Sequence, residues 1–143
     1  MKLLVINGPN LNMLGIREPE IYGKETLDDL VKLIKKERGD KHDISFFQSN
    51  HEGEIIDAIH KAYYDGVDGI VINPAAYTHT SIAIMDALKS VPIPSVEVHL
   101  SDISNREPFR QNSYTSLATI ASIKGRGFQG YIDAIDFIVN YLK

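Results

Sequence analysis

The chain has 143 residues, 43% of them hydrophobic, a net charge of −4 and no cysteine. That length suits one domain, 1–143, with one sizeable core, and the acidic balance argues against nonspecific nucleic-acid binding. The missing thiols exclude disulfides and thiolate metal sites and fit a reducing cytoplasm, while no apolar run suits a signal peptide or approaches the roughly 20 residues of a membrane span.

The first predicted strand, Lys2–Asn7, ends in Asn7-Gly8-Pro9-Asn10-Leu11-Asn12 and opens into a long loop holding Arg17 and Tyr22. Loops of this length are usually functional or disordered, and this one is rich in turn-forming and apolar residues. Thr26 with Asp29 resembles a capping box for a helix whose stripe is Leu27, Leu30, Val31, Leu33 and Ile34, closed by Gly39. A second strand spans Ile44–Gln48 and a helix Glu54–Asp65, with Gly66 after it. Gly69–Asn73 is the third strand, followed by a helix over Ser81–Lys89 that stops before Pro92 and Pro94. Ser95–Leu100 is the fourth strand, Ala118–Ile123 a weaker fifth, and Gly127–Leu142 the last helix.

Strands one, three and four are near-continuously apolar, the pattern of a parallel sheet covered on both faces. Alternating strands and helices then predict a flavodoxin-like, doubly wound α/β/α domain with five parallel strands in the order 2-1-3-4-5. Such folds bind ligands at the carboxyl ends of the strands, where the winding reverses, here between strands one and three.

Polar residues gather at that edge: Asn7, Asn10 and Asn12; Gln48, Ser49, Asn50, His51 and Glu52; Asn73, Tyr77, Thr78 and His79; Ser101 and Arg106. Any single Asn or Ser there is explained by turns and caps. Glu97 and His99 are different. They alternate within an apolar strand, so they share one face of a buried element and need partners or a task. Other motifs carry less. Gly125-Arg126-Gly127-Phe128-Gln129-Gly130 matches GxGxxG, but too little chain follows for a second strand and its acidic residue, so a tight turn is expected. His51-Glu52 lacks the second His of a zinc protease motif, there is no phosphate loop, and His42 and His60 read as surface residues.

Taken together, Ile6–Asn12, Leu14-Gly15 with Arg17 and Glu18-Pro19, Tyr22-Gly23, Gln48–Gly53, Asn73–Ser81, Val96–Ser101, Arg106-Glu107 and Phe109-Arg110 resemble type II 3-dehydroquinate dehydratases. The likeness spans nearly the whole chain. It departs at Asp102-Ile103-Ser104-Asn105, where the family more often shows Asn, a hydrophobic residue, His and Ala.

The resemblance implies a single catalytic domain that removes water from 3-dehydroquinate to give 3-dehydroshikimate, in the shikimate pathway, with no metal or organic cofactor. It implies Tyr22 as the base. A free phenol, with its pKa near ~10, is only about one part in a thousand ionised at pH 7, and a shift of ~3 units takes roughly 4 kcal/mol. Arg17 looks like the cation that supplies much of this, with Arg110 adding positive potential. On spacing alone, Tyr22 is equally a packing aromatic that anchors the loop. By the same resemblance His99 is the general acid, Glu97 holds its other ring nitrogen, and Asn10 holds a water for the enolate oxygen. The alternatives are a satisfied Glu97–His99 pair with no proton transfer, and a turn role for Asn10. Substrate recognition falls to Asn73, His79, Leu100, Ser101 and Arg110, with Asp86 reaching a neighbouring subunit's site in a homododecamer built as a tetramer of trimers. Arg106 fits an ion pair with Glu18 or Glu107 as well as a ligand contact. The Arg17–Tyr22 loop, bracketed by Gly15 and Gly23, is expected to be a lid.

Three rivals remain. A receiver-like switch would want an Asp where Asn73 stands, a flavin or nucleotide module would want a phosphate loop, and another carbon–oxygen lyase acting on a related hydroxy-ketone acid fits the residues alone.

Overall fold

Val, Ile and Leu dominate three short runs, and the fold buries each of them on both faces. The computed structural model describes every residue except Arg17, and the side chains of Ile21 and Tyr22 also lie outside the described set. The elements run β1 (Lys2–Asn7), α1 (Pro19–Tyr22), α2 (Leu27–Arg38), β2 (Asp43–Gln48), α3 (Glu52–Tyr64), β3 (Gly69–Asn73), α4 (Ile82–Ser90), β4 (Ser95–His99), β5 (Ala121–Lys124) and α5 (Gln129–Leu142). The five strands pair in parallel in the order β2-β1-β3-β4-β5, as the alternation predicts.

The sheet divides the core in two. Leu3, Val5, Val71, Val96 and Val98 pack against Leu30 and Ile34 of α2 and Ile135 and Ile138 of α5. Leu4, Ile6, Ile70 and Ile72 face the other way, onto Ile55 and Ile59 of α3 and Ile84 and Leu88 of α4. Each fully buried aliphatic side chain contributes roughly 1.5–3 kcal/mol of transfer free energy, which makes these two layers the main stabilising feature. The capping box at α2 is formed in both directions, with Asp29 N–H donating to Thr26 Oγ1 at 3.1 Å and Thr26 N–H donating to Asp29 Oδ2 at 3.0 Å. Asp28 and Asp29 in its first turn and Lys35, Lys36 and Arg38 in its last suit the helix dipole.

Four sequence expectations shift. The fifth strand lies at Ala121–Lys124 rather than Ala118–Ile123, because Thr115–Ala118 turns into a 3-10 segment. The Thr115 hydroxyl is drawn inward to Glu97, and Ser113 Oγ accepts from Ser116 N–H, which curls the backbone before the strand begins. The helix expected from Glu54 starts at Glu52, where Ser49 Oγ accepts the His51 N–H at 2.9 Å and turns the chain early. The last helix starts at Gln129 rather than Gly127, since Gly125 and Gly127 hold the positive φ values of a tight turn. Finally, the segment read as one open loop after β1 contains a helical turn, α1, whose last residue is Tyr22.

Candidate active site

At the carboxyl edge the end of β1 is pressed against the end of β3. A Cβ on Gly8 would lie 2.5 Å from the Pro74 carbonyl oxygen, so only glycine permits this approach. Gly8 N–H donates to the Asn73 carbonyl at 2.8 Å. The chain then turns through Asn10, which is held at φ 70°. Asn50 Oδ1 accepts the Asn10 N–H at 2.9 Å and also Gln48 Nε2 at 3.2 Å, while Tyr77 Oη donates to the Asn50 carbonyl at 2.8 Å. Residues from the ends of β1, β2 and β3 therefore fix one unusual backbone conformation.

A cavity of about 140 Å³ opens above these ends. Its walls include Asn10, Asn73, His79, His99, Ser101 and Arg110. Leu100, Ile103 and Arg106 complete the side next to β4. A larger groove, about 500 Å³, lies at the opposite edge between β2 and α3, against Leu4, Phe46, Phe47 and Ala58. Size alone favours that groove, but its ionisable residues, Lys2, Glu54, Asp57, Lys61 and Asp65, include no histidine, whereas the smaller cavity brings His79 and His99 together at the strand ends.

Glu97 and His99 sit where alternation puts them, on one face of β4, with 0% and 6% of their surfaces exposed. His99 Nε2 lies 2.9 Å from Glu97 Oε2. Burial alone would push the Glu97 carboxyl up, but the His99 ring and the hydroxyls of Thr115 and Ser122 hold it below its ordinary value. An ionised carboxylate only accepts, so Nε2 carries the proton and Nδ1 is left for other work. Thr115 is itself fully buried and donates to Glu97 Oε1 from a 3-10 segment 18 residues away. No local periodicity announces such a contact.

His79 also lines the cavity, from the 3-10 segment Ala75–His79 that follows β3. Its Nδ1 is 2.7 Å from the Asn112 carbonyl, which fixes the proton on Nδ1 and leaves Nε2 as an acceptor in the neutral ring. Burial lowers the His79 pKa, against the opposing effect of that hydrogen bond. Arg110 Nε donates to Glu107 Oε2 at 2.6 Å, and Arg106 Nε lies 3.9 Å from the same carboxylate oxygen, one of the two ion pairs named for Arg106 as alternatives to a ligand contact.

The departing loop, Asp102–Asn105, still builds a wall. Asp102 Oδ1 accepts the Ser104 N–H at 2.9 Å and caps a short 3-10 turn, which buries Ile103 beside the cavity. The glycine-rich turn has a structural use as well. Gly125 N–H donates to the His99 carbonyl at 3.2 Å and Gly127 N–H to the Leu100 carbonyl at 3.0 Å, which clasps the end of β4. Asp86 is exposed on α4 and is not among the residues lining this chain's cavity. Arg17 and the Tyr22 side chain fall outside the described residues. Among the described residues no group of three or more His, Asp or Glu side chains is placed to hold a metal ion, and no helix is long and apolar enough to cross a membrane.

Residues 1–139 match the family model described as Dehydroquinase class II. The chain belongs to the class II dehydroquinase family. It is 56% identical over 144 residues to a 3-dehydroquinate dehydratase of Clostridium perfringens strain 13, covering 100% of this chain and 99% of that one. The 3-dehydroquinate dehydratase of Clostridium acetobutylicum is 57% identical over 145 residues, with 100% and 99% covered. The crystal structure of a type II dehydroquinase from Butyrivibrio crossotus superimposes with a TM-score of 0.95 at 54% identity, covering 97% of both chains. As a dehydroquinase, the chain is a hydro-lyase with dehydratase activity.

Proposed function

We propose that this dehydroquinase converts 3-dehydroquinate to 3-dehydroshikimate by way of an enolate, working as a single catalytic domain in the cytoplasm. The observation that carries the reading is His99, backed by the buried Glu97, in the wall of a cavity that also holds Asn10, Asn73, His79 and Arg110. Elimination beside a ketone needs a base, an enolate stabiliser and an acid for the departing hydroxyl.

In this reading Tyr22, kept ionised by Arg17, takes the proton α to the ketone. The electron pair of that C–H bond moves into the enolate. Asn10 holds a water that donates to the enolate oxygen. The enolate then re-forms the ketone and expels the β-hydroxyl, which leaves as water with a proton from His99. Tyr22 ends protonated and His99 neutral, and exchange with solvent resets both. Glu97 accepts from Nε2, which supports proton delivery from Nδ1. Arg110 and His79 meet ring hydroxyls, Ser101 and the backbone at Leu100 suit the substrate carboxylate, and Asn73 offers the substrate a further polar contact.

Gly15 and Gly23, at φ 88° and 81°, bracket the segment proposed as the lid. Asp86, exposed on α4, is proposed to act at a neighbouring subunit's site in a twelve-subunit assembly. The test is direct. Purified protein with 3-dehydroquinate should develop conjugated-enone absorbance, and prior borohydride treatment with substrate should not inactivate it. No absorbance change, or borohydride inactivation through a trapped Schiff base, would overturn the proposal.

A further inference from the structure

Asn7 and Asn73 are register partners at the carboxyl ends of β1 and β3, so their side chains stand next to each other on one face of the sheet. Both are buried, at the point where the winding of the fold reverses. Tyr131 of α5 reaches between them with 0% of its surface exposed. Its hydroxyl donates to Asn7 Oδ1 at 2.6 Å and accepts from Asn73 Nδ2 at 3.0 Å. On its other side, Asn73 Oδ1 accepts the Ala75 N–H at 3.1 Å.

We propose that Tyr131 is a positioning residue for the dehydratase reaction, whose hydroxyl sets the orientation of the Asn73 carboxamide at the cavity wall. The phenol proton goes to Asn7, which has only an oxygen to offer it. The phenol oxygen is then open to an N–H, and Asn73 must turn its Nδ2 toward it. Oδ1 is thereby aimed at Ala75, a non-glycine residue held at φ 53°, where the 3-10 segment carrying His79 begins. A carboxamide can usually flip at little cost; here both ends are specified. The second Nδ2–H has no partner among the described residues, so Asn73 presents a donor suited to a substrate hydroxyl or carbonyl oxygen. Complete burial pushes the Tyr131 phenol well above its ordinary range, which keeps it a neutral bridge rather than a second base.

The inference rests on the proposed contact between Asn73 and substrate, and the test separates the two. Steady-state kinetics with 3-dehydroquinate are compared for the parent, Tyr131→Phe, Asn73→Ala and the double variant. A hydrogen bond lost equally from substrate and transition state raises KM and spares kcat. Tyr131→Phe should raise KM about tenfold with kcat within about threefold, and it should change KM less than about twofold in the Asn73→Ala background. In the unliganded protein, the Asn73 side-chain amide proton resonances should move in Tyr131→Phe, a signature that depends on no substrate. Unchanged KM in Tyr131→Phe, a full tenfold effect in the Asn73→Ala background, or a Tyr131→Phe chain that fails to fold would overturn the assignment. Asn73→Ala with parental KM would remove the substrate contact and the positioning role with it, and a resonance shift there would leave only a structural bond.

Discussion

The end of β4 and the meeting point of β1 with β3 both place buried polar side chains beneath one cavity, but with opposite chemistry. At β4 the pair is ionisable. Glu97 takes hydrogen bonds from His99, Thr115 and Ser122, and the proposed role of the pair is to pass a proton to the cavity. At the switch point the network of Asn7, Tyr131 and Asn73 is neutral, and every bond in it constrains orientation. The two lie on opposite faces of the sheet, since Glu97 registers with Ile72 and Asn73 follows it by one residue. A reaction that moves protons around a ring needs both kinds of wall, one that titrates and one that does not.

Breaking the titrating side should cost most. Tyr22→Phe and Arg17→Ala should each abolish measurable turnover with the circular dichroism of the parent; near-parental rates in either would end their proposed roles. His99→Ala should lower kcat by about 10³-fold, within the range for loss of a general acid. It should also change stability with pH. The folded-state pKa of Glu97 lies below its ordinary value, so the parent holds this stabilisation above about pH 5 and loses it as pH falls through the folded pKa. Without His99 the largest opposing influence on burial is gone, and the carboxyl is pushed up instead. The Tm deficit of His99→Ala should then be greatest near neutrality and shrink toward pH 4. Parallel Tm curves would contradict the pairing.

Thr115→Val sharpens the contrast at smaller scale. One donor to Glu97 disappears, its pKa rises, and the acid limb of kcat should move to higher pH with kcat down about tenfold. The non-titrating wall should show no such movement when altered. The smallest effect belongs to Thr26→Ala, far from the cavity. It removes the α2 cap, costs about 1 kcal/mol in denaturant unfolding and leaves kcat and KM unchanged.

The sequence announces the architecture wherever a local rule operates. Unbroken apolar runs mark β1, β3 and β4, and Thr26 with Asp29 marks a helix start. Alternation singles out Glu97 and His99. The fifth strand starts three residues later than expected because it is short and half-buried, and because Thr115 is pulled into a turn by a residue of another element. Thr115 and Tyr131 were illegible as site residues for the same reason. Tyr131 falls on the buried stripe of α5, where it reads as one more core aromatic. The missed signal is its hydroxyl, since a phenol buried that deeply must find partners. Residue order alone does not say that those partners are two strand ends at the far side of the fold.

The bridge from Asn7 to Tyr131 spans 124 residues. Closing so large a loop costs entropy before the contact forms, and contacts of high sequence separation are slow to assemble. Chains regaining structure from denaturant should therefore recover helical ellipticity ahead of substrate affinity, because the wall under Asn73 is finished only when α5 docks. Competence in this protein trails compaction.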